Sequence, residues 1–198
     1  GISYQVVSGD EVYAFELSVL GKHNVYNSLA AIAVGRLFGL EFEEMQEALK
    51  DFEAGDMRLN VLTTQDGITI IDDAYNASPD SMKAALMVLK DMQGNRKIAV
   101  LGDMLEMGNY AEQAHREVGQ AVAGNIDFLI TRGHASRWIG EEARVAGMPK
   151  SSIYHLSCNK DVINLLGTFV QSGDTILVKG SRGMKMEEVV SYLLKGRV

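Results

Sequence analysis

From Met57 onward, short apolar runs alternate with longer amphipathic stretches, and this alternation restricts the fold more than any other feature. Short apolar runs bounded by turn residues read as buried strands, and longer runs with helical spacing read as helices. The expected strands are Arg58–Thr64, Ile68–Ile71, Lys97–Leu101, Phe128–Thr131, Ser152–Leu156 and Thr175–Val178. The expected helices lie near Pro79–Met92, Tyr110–Ala123, Ala135–Ala146, Lys160–Val170 and Lys185–Lys195. Gln65-Asp66-Gly67 is short enough to join its two strands as an antiparallel hairpin, whereas every later pair is separated by a helix. The pattern predicts an α/β fold with about six mostly parallel strands, one antiparallel edge, and helices on both faces.

A parallel sheet places the turns after successive strands on one rim. Those turns are Asp72–Pro79, Gly102–Gly108, Arg132–His134, Ser157–Asn159 and Lys179–Gly183, and charged and glycine-rich residues concentrate in them. The first turn carries two acids, a tyrosine and an asparagine between Asp72 and Asn76, more than a connection requires. Ser78 can cap the following helix, Pro79 fits its first turn, and Asp80 suits the positive end of its dipole. In the last turn, backbone amides beside Lys179 and Arg182 form a candidate anion site, although a capped loop with solvated charges would use the same residue types.

Upstream the pattern differs. Tyr4–Val7 and Glu11–Ser18 read as strands around Ser8-Gly9-Asp10. A helix from about Asn24 to Phe38 follows, with Leu29, Ala30, Ala33, Val34 and Leu37 on one face and Gly39 as its stop. A second helix, Glu43–Phe52, is expected to bury Met45, Ala48, Leu49 and Phe52. Two strands and two helices make a thin domain, so this part reads as the tail of a larger one, with a boundary near Glu53-Ala54-Gly55-Asp56. Asn24 and Asn27 share a face at a helix start, where an amide can cap the helix or pair with an adenine edge.

A net charge of −7 disfavours nucleic acid and anionic membrane surfaces as partners. No apolar run approaches the ~20 residues needed to span a bilayer, and no signal-peptide pattern is present. The single cysteine, Cys158, fits a reducing cytosol. Neither G-x-x-x-x-G-K-[ST] nor G-x-G-x-x-G occurs, and cysteine-rich metal spacing is absent. His115 and His155 read as structural residues. A receiver domain would place an aspartate after the third parallel strand, where this chain has Thr131-Arg132-Gly133-His134.

The segments GKHNVYNSLAA (Gly21–Ala31), MRL (Met57–Leu59), DDAYNASPDSM (Asp72–Met82), LGDMLEMG (Leu101–Gly108) and VKGSRGMKMEEVV (Val178–Val190) together resemble the ATP-dependent Mur ligases of peptidoglycan synthesis. The related folate ligases carry D-G-A-H-N-P where this chain has Asp72–Asn76. Within the family, the Asp-Asp-Ala-Tyr-Asn and Leu-Gly-Asp-Met forms are most similar to the member that joins D-Ala-D-Ala to UDP-MurNAc-tripeptide. The resemblance implies that residues 1–54 end a central ATP-binding domain and that 55–198 form a Rossmann-like C-terminal domain. It implies a bacterial cytoplasmic enzyme that uses ATP and Mg2+. The metal ligands, phosphate loop and carbamylated lysine would lie upstream, which would leave this stretch inactive alone. Another Mur ligase, or a noncatalytic nucleotide- or peptide-binding domain of the same fold, is the alternative.

Residue by residue, the resemblance makes Asn24 and Asn27 adenine contacts with His23 beside them. It makes Arg58 an arginine that reaches ATP, and Asp73 the acid that holds the ribose hydroxyls, with Asp72 second in line. Lys179, Ser181 and Arg182 suit the acceptor or acyl-phosphate end, and Asn76, Asp103 and Glu106 the dipeptide side. Gly55-Asp56-Met57-Arg58 departs from the family's proline-glycine-arginine form. Sequencing the gene upstream of Gly1 is expected to reveal a glycine-rich loop ending in GKT or GKS; its absence would remove the ligase reading.

Overall fold

The computed structural model describes residues 1–53 and 55–195, in two compact units, Gly1–Gly55 and Asp56–Val198. Ala54, at the expected boundary, lies outside the described residues. In the first unit, strands β1 (Ile2–Ser8) and β2 (Glu11–Leu17) form an antiparallel hairpin, followed by helices α1 (Lys22–Leu37) and α2 (Phe42–Lys50). Phe15, Ile32, Phe42 and Met45 form its small core.

Helix α1 presents a face other than the expected one, and α2 only part of its own, through Met45 and Leu49. Helix α1 packs through Ser28, Ile32 and Gly35, while Leu29, Val34 and Leu37 remain exposed, Leu37 at 85%. Small residues allow the close approach: the Ser28 hydroxyl lies 2.6 Å from the Tyr4 hydroxyl, and a Cβ on Gly35 would fall 2.5 Å from the Met45 sulfur. Helix α2 buries Phe42 and Met45, but Ala48 is exposed and Phe52 lies beyond the helix end, half exposed.

The second unit contains β3 (Asn60–Thr63), β4 (Thr69–Asp73), α3 (Pro79–Asp91), β5 (Lys97–Gly102), α4 (Ala111–Val122) and β6 (Phe128–Arg132). It continues through α5 (Arg137–Val145), β7 (Ile153–Leu156), α6 (Asn159–Phe169), β8 (Thr175–Lys179) and α7 (Glu187–Leu194). The sheet order is β3-β4-β8-β5-β6-β7, with β3 antiparallel to β4 and the other pairs parallel, as the alternation predicts. Helix starts fall later than expected where a turn is tied down. Lys185 holds φ 51, which delays α7, and a 3₁₀ turn at Gly108–Tyr110 precedes α4.

Side chains alternate across the sheet. Ile70, Val100, Ile130, Ile176 and Val178 face α6 and α7 in one core. Ile71, Ala99 and Leu177 point the other way, towards the face on which α3, with Met82, Leu86 and Leu89 buried, packs on β5 and β8. Helices leaving β4 and β5 therefore cover one face, and α7, leaving β8, covers the other. A sheet of this kind opens a crevice where its helices part to opposite faces. That point is the carboxyl end of β8 and its neighbours.

The opposite rim is latched. Arg96 Nε and an Arg96 terminal nitrogen lie 2.8 and 2.5 Å from the two Asp174 carboxylate oxygens, and the guanidinium sits over the rings of Phe169 and Phe128. Asp174 is almost fully buried and also accepts the Gln171 amide. Replacing it leaves a partly buried cation unpaired. Asp174→Ala is expected to cost about 3 kcal/mol, read as a lowered urea midpoint; a midpoint unchanged from the parent would show that the latch carries no stability.

Candidate active-site rim

Strand β4 runs on through both acids, so Asp72 and Asp73 end a strand instead of opening a turn. In the β4–β8 register Asp73 lies opposite Lys179. The Lys179 ammonium, 2% exposed as a residue, donates to Asp73 Oδ2 at 2.6 Å and to the Asn76 carbonyl at 2.9 Å. Burial pushes the lysine pKa down, and the Asp73 charge and hydrogen bond oppose that shift. Asp73 Oδ1 accepts the Leu59 amide at 3.2 Å. The pair thus joins three pieces of chain: β4, β8 and the entry to β3. Lys179, which the resemblance sets at the acceptor or acyl-phosphate end, forms an internal strut here.

Alternation turns Asp72 to the other face of the sheet. It accepts the Ala74 amide on Oδ1 at 3.2 Å, and Oδ2 has no hydrogen-bond partner among the described residues. Burial raises its pKa above the usual carboxylate value; the Ala74 bond opposes this, and the neighbouring charge of Asp73 adds to it. Of the two acids, Asp72 keeps the freer oxygen.

The strand ends after β5 and β8 meet closely. A Cβ on Gly180 would lie 3.2 Å from the Gly102 Cα and 2.8 Å from Met186 Cγ, so Gly180 leaves little room for a side chain. The loop after β5 is then stitched to its neighbours. Ser181 donates its amide to the Asp103 carbonyl at 3.1 Å, and its Oγ accepts the Leu105 amide at 2.9 Å. The Asp103 carboxylate accepts the amides of His134 at 3.0 Å and Ser136 at 2.7 Å. Gly133, at φ 125, leaves no room there for a side chain. Asp103 therefore ties two rim loops together through its carboxylate.

A cleft of about 210 Å³ remains, lined by Tyr75, Asn76, Leu105, Glu106, Ser181, Arg182 and Gly183. It brings together Asn76, Glu106, Ser181 and Arg182 from the residues singled out in the sequence. Arg182 is exposed and donates to Glu187 at 2.8 Å. Tyr75, not among those residues, lies under the Arg58 guanidinium, 4.4 Å from ring centre to Cζ, and its amide donates to the Met57 carbonyl. Met57 itself holds φ 59, a conformation that favours glycine.

In the first unit, Asn24 donates to the Leu20 carbonyl at 2.7 Å and accepts from Asn27 at 3.0 Å, so it organises the start of α1 and steers the exposed Asn27. His23 lies beside Gly21, whose φ of 92 opens the helix. His155 shares a 2.9 Å contact with Thr131, the structural role expected of it. Among the described residues no group of three or more His, Cys, Asp or Glu could hold a metal ion. No described helix is long and apolar enough to cross a membrane.

Residues 57–182 match the family model described as Mur ligase, glutamate ligase domain. The chain is 41% identical over 183 residues to the UDP-N-acetylmuramoyl-tripeptide–D-alanyl-D-alanine ligase of Bacillus subtilis, covering 91% of this chain and 40% of that protein. It is 36% identical to the Escherichia coli ligase of the same name, covering 89% and 38%. Among solved structures it is similar to MurF from Acinetobacter baumannii, with a TM-score of 0.85, 27% identity, and coverage of 98% of this chain and 42% of that one. MurF ligase from Thermotoga maritima in complex with ADP gives a TM-score of 0.81 at 25% identity, with 98% and 43% covered. The chain spans about 40% of the length of these relatives. With more than half of its residues matched by one family model, the chain belongs to the Mur ligase family.

Proposed function

We propose that the whole protein is a cytoplasmic ATP-dependent ligase that joins D-Ala-D-Ala to UDP-MurNAc-tripeptide, yielding UDP-MurNAc-pentapeptide, ADP and phosphate. The 41% identity to the Bacillus subtilis ligase, extending over 91% of this chain, carries the reading. Residues 1–54 would end its ATP-binding domain and 55–198 would form its C-terminal domain. The tripeptide carboxylate attacks the γ-phosphorus and ADP leaves; the dipeptide amine then attacks the acyl carbon, phosphate leaves, and the amine gives up a proton. The residues that hold Mg2+ would lie upstream of this stretch, and the ion would spread the charge of the transferring phosphoryl group.

The work of this part of the chain would be binding and orientation. Asn27, steered by Asn24 and flanked by His23, would contact adenine, and Arg58, stacked on Tyr75, would reach the nucleotide. Asp72 would accept the ribose hydroxyls through its open oxygen, and Asp73, held by Lys179, would fix the strand end that presents it. What supports this division is the commitment of Asp73 to two partners against one for Asp72. The cleft beside Asn76, Glu106, Ser181 and Arg182 would take the dipeptide, with Arg182 suited to its carboxylate and Glu106 to its ammonium group before the proton is lost.

The decisive assay supplies full-length protein with ATP, UDP-MurNAc-tripeptide and D-Ala-D-Ala and measures phosphate and pentapeptide; active protein that releases neither would exclude the reading. In that enzyme Asp72→Ala is expected to raise the KM for ATP by a factor corresponding to about 1.5–3 kcal/mol, the worth of a charge-assisted hydrogen bond. If Asp73→Ala raises it instead and Asp72→Ala does not, the two acids exchange roles.

Asp72 also links the site to stability. Its folded pKa is raised, so it costs nothing when protonated in both states, and its charge becomes destabilising as pH rises through the folded value. Asp72→Asn, which keeps the acceptor for Ala74, is expected to raise the Tm at pH 7, with the gain vanishing in acid. An equal gain at both pH values would show that the burial of charge is not its source.

A further inference from the structure

The loop that supplies Leu105 and Glu106 to the cleft stands in an unfavourable conformation. Glu106 holds φ 63, in the left-handed region that side-chain-bearing residues avoid. Such a conformation costs on the order of 1–3 kcal/mol and persists only where the surroundings enforce it. Ser181 enforces it from one side, through the Leu105 amide. The residue on the other side is His115, from helix α4. Its Nε2 lies 3.0 Å from the Met104 nitrogen, and its Nδ1 lies 2.6 Å from the Ala111 carbonyl oxygen.

These two partners determine the state of the ring. The Ala111 carbonyl only accepts, so Nδ1 carries the hydrogen; the Met104 amide only donates, so Nε2 must offer a lone pair. The ring is completely buried, and the Trp138 ring meets it edge-on at 6.0 Å. A protonated imidazole would turn a second N–H towards the Met104 N–H and break that bond. Burial disfavours this form, and Asp103, the charged group acting on the ring, favours it; α5 presents Trp138 and α4 the Ala111 carbonyl. An apolar core position would need none of this. Leu or Phe would fill the space, and the Met104 amide would lose its acceptor.

We propose that His115 is a positioning residue for the acceptor end of the cleft: its neutral Nδ1–H ring holds the Met104 amide and so fixes Leu105 and Glu106 against Ser181. The inference rests on the reading of that cleft as the dipeptide site. It assigns the histidine no contact with substrate. Its effect passes through two loop residues, and it should be felt by the acceptor and not by the nucleotide, whose proposed contacts lie on other loops.

The test uses full-length enzyme with ATP, UDP-MurNAc-tripeptide and D-Ala-D-Ala. His115→Phe keeps the bulk and removes the acceptor; His115→Gln restores an acceptor at the reach of Nε2 and does not titrate. His115→Phe is expected to raise the dipeptide KM about tenfold, the equivalent of one lost hydrogen bond of about 1.4 kcal/mol, with the ATP KM unchanged. His115→Gln is expected to recover most of the loss. In the parent enzyme the dipeptide KM rises as pH falls, through protonation of the dipeptide amine and of the His115 ring together, and His115→Gln removes the part due to the ring. Equal rises in both KM values, an unchanged dipeptide KM in folded His115→Phe, or an acid limb identical in parent and His115→Gln would each overturn the proposal. If His115→Phe does not fold, the pH profiles of parent and His115→Gln decide alone. A parent enzyme that ligates a different acceptor would refute the dipeptide reading only, and the same variants read with that acceptor then decide the role of His115.

Discussion

The pair between Lys179 and Asp73 is the constraint on which the rim depends. An ammonium so deeply buried is tolerable only beside a carboxylate, and the Asn76 carbonyl accepts from a second of its three donors. The consequence is geometric. A strand end, the following turn and the entry to β3 are held to one nitrogen and one carboxylate, so side chains that project from them have little freedom. Asp72, Tyr75, Asn76 and Arg58 all emerge from these anchored pieces. Rigid support of this kind is what an orienting site requires, because small misplacements of reacting groups are costly in rate.

A second tier of contacts extends the same order across the sheet. Gly102 and Gly180 let two strand ends approach, Ser181 and Asp103 tie the loops that leave them, and the Asp103 carboxylate reaches the loop after β6. Residues that look like reactive groups in the sequence are thus spent on holding backbone amides. The polar side chains that line the cleft are fewer, Asn76, Glu106 and Arg182 among them. Conserving backbone satisfaction and exposing chemistry are separate tasks here, performed by neighbouring residues of similar type.

Much of the fold was legible because each strand of the second unit is a compact apolar run between clear turn residues, such as Ile98–Leu101 before Gly102-Asp103. The antiparallel edge followed from a three-residue connection. What could not be read was which polar atoms meet. Asp72 and Asp73 are equivalent as letters; only the β4–β8 register, which sets Lys179 against the second acid, distinguishes them. His115 resembles any helical histidine until the Met104 amide is seen at its ring. In the first unit the apolar residues of α1 misdirected the expected core, since Ser28 and Gly35, small and unremarkable in sequence, make the close contacts.

The position of β8 in the sheet bears on the timing of assembly. It is the last of the described strands in the chain, yet it lies between β4 and β5, which precede it by a large part of the unit. During synthesis from the N-terminus, β4 and β5 cannot pair with each other and must wait for the central strand. The parallel contacts that complete the sheet are therefore among its most distant in sequence, the kind that slow folding. Lys179 arrives with that strand, so the rim and the sheet are completed in one event, and a nascent chain does not display a half-formed site.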